Sequence, residues 1–439
     1  MAAGAVEERH MPDVSIVWET PSTPITPEDF IHHDGVRFVR PYFFEFIAHV
    51  KERWDKKTVT NLFAEEFRQR PLDYYCEAVN AGRILVNGKR VRSDYVVRAS
   101  QTLSHFVHRH EPPVMGEPVR ILELSADVVT IWKPPSVPVH PCGQYRKNTV
   151  LGILEAEHSL KPLYPIHRLD RLVSGLLILA RNADTADQFR KEMEGGKVAK
   201  SYIAKVKGVF PDEEMELSAS IVYDAREGRS TVERSENSAT GNSHQHTKLL
   251  GKGKSACTKF KRLSTDGMYS IVECTPLTGR THQIRVHLQY LGHPIANDDL
   301  YCSDNPAKRA GTGTSAERAA RLERILQKGA SLDDAYPKRR RMDDVRICAL
   351  DDVGVSLYKN IEDEGLDDSH GTVSDIVTDF HGAKFVLDSM CTNCPNLCPS
   401  GYEGKEDGLW LHCRSYSGSN WKYECPLPSW ARLSLSTPD

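Results

Sequence analysis

In PIHRLDRLVSGLLILARN, residues 165–182, one carboxylate, Asp170, stands between Arg168 and Arg171, just ahead of an apolar run that ends at Arg181. An acid flanked by arginines beside a core strand is either half of a structural ion pair or a reactive group held ionised. For a single aspartate the ion-pair reading is the commoner one, so other residues must decide. Arg280 and Arg285 bracket His282-Gln283 at a turn-to-helix start, a placement that suits phosphate or carboxylate. His282 and His287 lie five residues apart, not the four that put two ligands on one helical face, and are read as packing or hydrogen-bonding groups. His140 and Cys142 lack a second pair. Cys391, Cys394 and Cys398, with Cys413 or Cys425, are metal-like in composition, but their spacing fits no standard knuckle, so no metal is assigned. Phosphate-cradling and dinucleotide-binding glycine motifs are missing from the sequence.

The elements that must position these groups follow from periodicity. Gly175–Arg181 reads as a buried strand behind a Ser174-Gly175 turn signal. Residues 119–133 hold two strand-like runs ending at Pro134-Pro135, and the Pro-, Gly- and Asn-rich stretch after them is a loop. NADTADQFRKEMEGG predicts a helix closed by Gly195-Gly196; KSYIAKVKGVF, from Lys200, alternates as a strand. MYSIVECTPLTG predicts a strand and THQIRVHLQYLG a helix, with 226–256 as a long surface loop between earlier and later strands. Further upstream, the aromatic stretch 36–54 predicts a strand running into a helix. Two short helices follow, from TVTNLFAEEF and DYYCEAVNAG, and then a hairpin at Asn87-Gly88 surrounded by Arg83, Lys89, Arg90, Arg92 and Arg98. A helix over 311–329, the basic run 338–341 and a C-terminal pair of extended runs complete the reading.

The 439 residues allow two or three domains, and an apolar content of 39% leaves room for loops and tails. Net charge is −3 but unevenly spread, +4 over 31–115 and +3 over 116–301 between acidic ends. A mildly basic middle is compatible with a polyanionic partner. No apolar run of about 18 residues is present, so no membrane span is expected. The first 13 residues lack an apolar signal core, and eleven scattered cysteines do not make a disulfide framework, so cytoplasm or nucleus is expected.

Several separated segments, in order, resemble one family. HRLDRLVSGLLILA resembles the signature of the RluA-type RNA pseudouridine synthases; LTGRTHQIRVHL with GHPIANDDLY resembles their second block. KPPSVPVHP, KSY and the closing LWLHCRSYSG…PLPSWA match smaller ones, so the likeness covers about 118–301 and 408–431 and is closest to the eukaryotic branch. It implies an α+β pseudouridine synthase fold with a mixed, largely antiparallel central sheet, preceded by a small S4-like α/β RNA-binding module. The implied organisation is a disordered acidic terminus (1–30), an aromatic lead-in with the S4-like module (31–115), a catalytic core (116–301), an irregular insertion (302–407) and a closing hairpin (408–439).

The same resemblance assigns roles. Asp170 takes the place of the catalytic aspartate, acting as nucleophile or base at the ribose; Arg285 pairs with it, and Tyr202 packs on the target base and takes part in proton removal. Arg168 fills the gap left by the flipped base; Arg280, from its place at the turn, is a phosphate-binding candidate, and Lys89 and Arg90 are RNA-binding candidates on a hairpin that reads equally as a solvated charged turn. The implied reaction detaches uracil, rotates it and rejoins it through carbon, so no cofactor is expected. The implied partner is RNA, tRNA first (anticodon loop) with rRNA and mRNA behind it, and a monomer is expected. The competing reading is an RNA-binding or assembly protein that keeps the fold without catalysis. A zinc deaminase is disfavoured because His-x-Glu with Pro-Cys-x-x-Cys is missing from the sequence.

Overall fold

The apolar run after Asp170 forms the strand Ser174–Ala180, buried along its whole length, inside a sheet of ten strands. In spatial order the main path runs Met215–Ser218, Cys257–Thr265, Tyr269–Pro276, Ala199–Lys207, Leu411–Ser417, Ser174–Ala180, Val128–Lys133 and Arg120–Leu124. Tyr164–Pro165 pairs with Ser174–Ala180, and Lys422–Glu424 with Leu411–Ser417. All pairings are antiparallel except that of Ser174–Ala180 with Leu411–Ser417, so the sheet is mixed and largely antiparallel. Alternate residues Leu176, Ile178, Ala204, Val206, Val272 and Cys274 share one core cluster with Phe189, Ile284 and Leu288. Helices Ala183–Glu194 and Gln283–Tyr290 thereby cover one face of the sheet. A helix that the periodicity did not assign, Val150–His158, begins where the expected loop ends, with the Thr149 hydroxyl accepting the Gly152 N–H at 3.1 Å.

The structure, a computed structural model, describes residues 17–67, 70–224, 228–233, 253–302, 376–378, 384–399, 401–402 and 404–432. The predicted helix over 311–329 and the basic run 338–341 lie outside the described residues. Two compact units divide these residues. One holds 17–24, 40–110 and 376–395; the other, with the large sheet, holds 25–39, 111–302 and 396–432.

This division corrects two expected boundaries. Residues 17–30 are not disordered: Trp18 packs edge-on against Phe43 and Phe106 in the first unit. In the second unit Ile25 is buried and Asp29 pairs at 2.7 Å with the buried Lys147. Nor do 31–115 form one module. Phe30–His33 pairs with Val36–Val39, and that strand pairs with Val114–Met115, all within the second unit. Glu111 secures this arrangement as a buried carboxylate accepting the backbone N–H groups of Arg146, Lys147 and Asn148. The surface-loop reading of 226–256 also changes, because Arg229–Val232 pairs with Ile221–Asp224 and its Arg229 and Ser230 are buried.

In the first unit, a four-stranded sheet runs in the order Tyr42–His49, Thr102–Arg109, Ile84–Val86, Lys89–Arg90. Helices Val59–Glu66 and Leu72–Asn80 form as the spacing predicts and pack Leu62, Phe63, Tyr75 and Val79 into one core. Asn87 and Gly88 both take positive φ, +49° and +72°, as a two-residue hairpin turn requires. The aromatic stretch reaches only one 3-10 turn, Glu52–Trp54, in place of the expected helix: it continues as the strand Tyr42–His49 because Thr102–Arg109 supplies a full-length partner.

The bond between Ser174–Ala180 and Leu411–Ser417 dictates Gly175. Its φ is +115°, and a Cβ there would sit 2.3 Å from the Cys413 carbonyl oxygen. Gly175→Ala is therefore expected to destabilise the fold by about 3 kcal/mol or more, from backbone strain plus backbone collision. Urea unfolding checks this; a loss below about 1 kcal/mol would show that the two strands can separate freely.

Candidate active site

Asp170 occupies the loop that enters Ser174–Ala180, and that loop is fixed at both ends. Before it, the His167 ring accepts the Ile178 N–H at 3.3 Å and stacks on Tyr416, with centroids 4.2 Å apart and planes at 15°. After it, the Asp170 carbonyl accepts the Val173 N–H at 3.0 Å, closing a turn. Beneath it, the fully buried Lys133 ammonium donates to the carbonyls of Pro134, Arg171 and Val173 at 2.8–2.9 Å. Burial pushes the Lys133 pKa down to about 7, with Arg171 adding to the effect and Asp170 opposing it. Three carbonyls use all three donors of the ammonium, and this is why a lysine is tolerated there. Arg171 pairs with Glu406. The local signal for Lys133, a strand-ending lysine before Pro134-Pro135, carries no hint of where its amine points.

The side chain of Asp170 meets helix Gln283–Tyr290. Arg285 Nη1 is 3.4 Å from Asp170 Oδ2, as the resemblance implied. The tighter partner of Arg285 is Asp298, which receives Nε at 2.6 Å and Nη2 at 2.9 Å, with the guanidinium lying over the Tyr301 ring. Burial disfavours the charge on Arg285, but Asp298 and then Asp170 outweigh it and raise the pKa above its ordinary value. One edge of the guanidinium is clamped, and the other is presented to Asp170. Bidentate pairing of this kind gives orientation as well as charge.

His282 is the second group facing Asp170. It sits before the helix with φ +56°, its Nε2 3.6 Å from Asp170 Oδ2 and its Nδ1 2.9 Å from the Tyr301 hydroxyl. Ser230 N–H donates to that hydroxyl at 2.9 Å; where the phenol in turn donates to His282 Nδ1, the imidazole proton sits on Nε2, towards Asp170. Burial, then Arg285, lowers the His282 pKa to about 4 against the opposing pull of Asp170, so the ring is neutral near pH 7. The unfolded chain takes up this proton near pH 6.5 and the folded chain only near 4. The contribution is intact above about 6.5 and is lost as pH falls to about 4, at most about 3 kcal/mol. Wild type should therefore lose more unfolding free energy between pH 7 and pH 4 than His282→Gln does; equal losses would show that the ring does not sense its neighbours.

Across the cleft, Tyr202 on Ala199–Lys207 is buried with its hydroxyl 3.0 Å from that of Tyr416. Burial, with Tyr416 adding to it, raises the Tyr202 phenol well above its ordinary value, so it is a neutral phenol near pH 7. Asp170, Arg285, Tyr202, Arg168 and Arg280 all line one cleft of about 400 Å³, together with His167, Lys200, His282 and Tyr416. Arg168 and Arg280 are exposed there, and Arg280 Nε donates to the Ser255 carbonyl at 3.0 Å. Lys89 and Arg90 lie on the hairpin of the first unit, both exposed, with Arg90 Nη2 donating to the Ala81 carbonyl at 3.0 Å. Of the cysteines whose spacing fitted no standard knuckle, Cys413 and Cys425 are packed into the apolar core.

Sequence reasoning missed His282, Asp298, Tyr416 and Lys133 as site groups. Asp298 and His282 both lie inside quoted motif blocks, ANDDLY and THQIR, so the signal was present without an assignment.

Residues 127–290 match the RNA pseudouridylate synthase family. The chain is 51% identical to RNA pseudouridine synthase 7 of Oryza sativa subsp. japonica, over 95% of this chain and 96% of the relative. Two Saccharomyces cerevisiae proteins are also similar. The mitochondrial tRNA pseudouridine(32) synthase is 39% identical over 64% of this chain and 58% of its own length. The tRNA pseudouridine(31) synthase is 30% identical over 92% and 97%.

Proposed function

The chain belongs to the RNA pseudouridylate synthase family and is an RNA pseudouridine synthase, an isomerase; from that premise we propose that its substrate is tRNA, modified in the anticodon arm, with Asp170 as the group that acts on the ribose. The observation that carries the catalytic part is the contact of Asp170 with the free edge of a guanidinium whose other edge is clamped by Asp298. A carboxylate held in this way has a fixed direction of approach, and fixed direction is what an attack at C1′ or a proton abstraction at C2′ requires. Its partner's charge is set by two acids and does not change over the physiological range.

The remaining groups take roles their positions support. The target uridine must leave the RNA stack to reach the cleft, at a cost of a few kcal/mol. Exposed Arg168 at the cleft can occupy the vacated position, and exposed Arg280 and half-buried Lys200 can meet phosphate. Tyr202 offers a ring face for the base and a neutral hydroxyl. A neutral phenol takes the C5 proton only as it releases its own, so Tyr202 would relay that proton towards N1 while Tyr416 holds its hydroxyl in place. Atoms and electrons balance within the nucleotide: the C1′–N1 bond breaks, the C1′–C5 bond forms, and a proton moves from C5 to N1.

The substrate assignment draws on the relatives whose names place their action at tRNA positions 31 and 32. Basic residues on the first unit's hairpin, Lys89 and Arg90, supply sequence-independent contacts to the RNA backbone. The test is to incubate the full chain with unmodified total tRNA and, separately, with rRNA fragments and mRNA, and to map pseudouridine by nucleotide. New pseudouridine in the anticodon arm is the expected result. Modification confined to rRNA or mRNA overturns the tRNA assignment, and no pseudouridine in any RNA favours the non-catalytic reading.

A further inference from the structure

The first unit holds a cluster that the isomerisation does not use. His108 Nδ1 lies 3.1 Å from Cys394 Sγ, Cys394 Sγ lies 3.4 Å from His110 Nε2, and the two ring nitrogens are 3.2 Å apart. Cys391 Sγ completes the group, with all four atoms within 4.8 Å of one another. All four residues belong to one compact unit, and both histidines are buried. We infer that His108, His110, Cys391 and Cys394 form a tetrahedral Cys2His2 site for zinc, which fastens the returning end of the long 302–407 segment to the sheet of this unit. The inference is independent of the substrate reading above.

Backbone geometry explains how the four ligands converge. His108 and His110 stand two apart on the extended chain that ends Thr102–Arg109, so their rings leave from the same face. On the other side, the Cys391 N–H donates to the Asp388 carbonyl at 2.9 Å, making the turn from which both sulfurs of the Cys-x-x-Cys point one way. That turn is held separately: Asp388 accepts from the Met390 N–H at 3.0 Å and from Arg83 Nη2 at 3.1 Å, and Arg70 reaches Thr392. The His108 ring is also set by stacking on Phe43, centroids 4.5 Å apart. Zinc bonds of about 2.0–2.1 Å to nitrogen and about 2.3 Å to sulfur put neighbouring ligand atoms about 3.3–3.8 Å apart. The three separations among His108, His110 and Cys394 come within about half an ångström of that frame, and Cys391 Sγ lies within 4.8 Å of each of those atoms.

Hydrogen bonding alone accounts for this less well. A thiol is a weak donor, and a buried pair of imidazoles with two thiols has few protons to share at such short separations. Two soft sulfurs with two imidazoles are the donor set that zinc selects, and four protein ligands leave no open position, so the site is structural. The ligands come from segments some 280 residues apart. A metal joining them removes far more chain freedom than a local knuckle would. The spacing test on the sequence failed for that reason: half of the ligand set sits in an unrelated strand.

The test uses the full chain, expressed with zinc and purified under thiol reductant without chelator. Metal analysis should find about one zinc per chain. Cys391→Ser with Cys394→Ser, and His108→Gln with His110→Gln, should each lose it, whereas Cys398→Ser should keep it. His110→Cys, which preserves four soft ligands, should also retain the metal. Because a ligand variant can unfold, the wild-type chain is tested by itself as well: stripped and reloaded with cobalt, it should show the visible bands of tetrahedral cobalt with thiolate ligands. A folded, reduced wild type that takes up no zinc or cobalt overturns the proposal. So does a Cys391–Cys394 disulfide in protein prepared under reductant, or zinc content unchanged in both double variants.

Discussion

Asp170→Asn is expected to lower pseudouridine formation by about 10⁴-fold or more while leaving RNA affinity within about threefold of wild type. The amide matches the carboxylate in size and can still accept from Arg285 Nη1, 3.4 Å away in the wild type, so the cleft keeps its shape. It can neither form an ester at C1′ nor hold a proton taken from C2′, and either route needs the anion. The readout is product released per enzyme on a tRNA substrate, by mass spectrometry of nucleosides, with a gel-shift titration in parallel. Activity above a tenth of wild type would remove Asp170 from the chemistry and return it to the ion-pair role its immediate neighbours suggest.

Asp298→Ala carries the second large effect. Asp298 is 1% exposed and is the bidentate partner of Arg285, itself 6% exposed. Removing it leaves a buried guanidinium with the looser Asp170 contact, an uncompensated charge costing about 3–5 kcal/mol. Freed from its clamp, Arg285 would also turn onto Asp170 fully and change the direction in which that carboxylate points. Unfolding in urea gives the stability loss. The double change Asp298→Leu with Arg285→Met should recover much of it, because an apolar pair of similar volume needs no partner, and should remain inactive. Recovery of activity in that double variant would show that the guanidinium has no part in orienting Asp170.

The long segment between Tyr301 and Leu409 does not interrupt the sheet, and the reason is one side chain. Asn297 donates to the Gly408 carbonyl at 2.8 Å and accepts the Trp410 N–H at 2.9 Å, so the chain re-enters beside the point where it left. Leu409 N–H then donates to the Leu172 carbonyl at 2.9 Å, next to the loop that carries Asp170. Closing so long a loop adds only a slowly growing entropic cost. The core strand Leu411–Ser417 therefore takes its place between Ser174–Ala180 and Ala199–Lys207.

By itself the sequence determined what short-range physics decides. Apolar spacing placed the helices Val59–Glu66, Leu72–Asn80, Ala183–Glu194 and Gln283–Tyr290; the Asn87-Gly88 pair placed a hairpin; the buried run after Asp170 became a central strand. Each depends on residues a few positions apart. The motif blocks also carried Asp170, Arg285 and Tyr202 into one cleft. The tertiary structure alone decided the distant partners: Tyr416 for Tyr202, 214 residues away; Lys133 under the loop that carries Asp170; and two histidines beside a cysteine pair some 280 residues later. A buried polar group takes whichever partner the packed fold brings within about 3 Å, and at such separations local pattern holds no record of that choice.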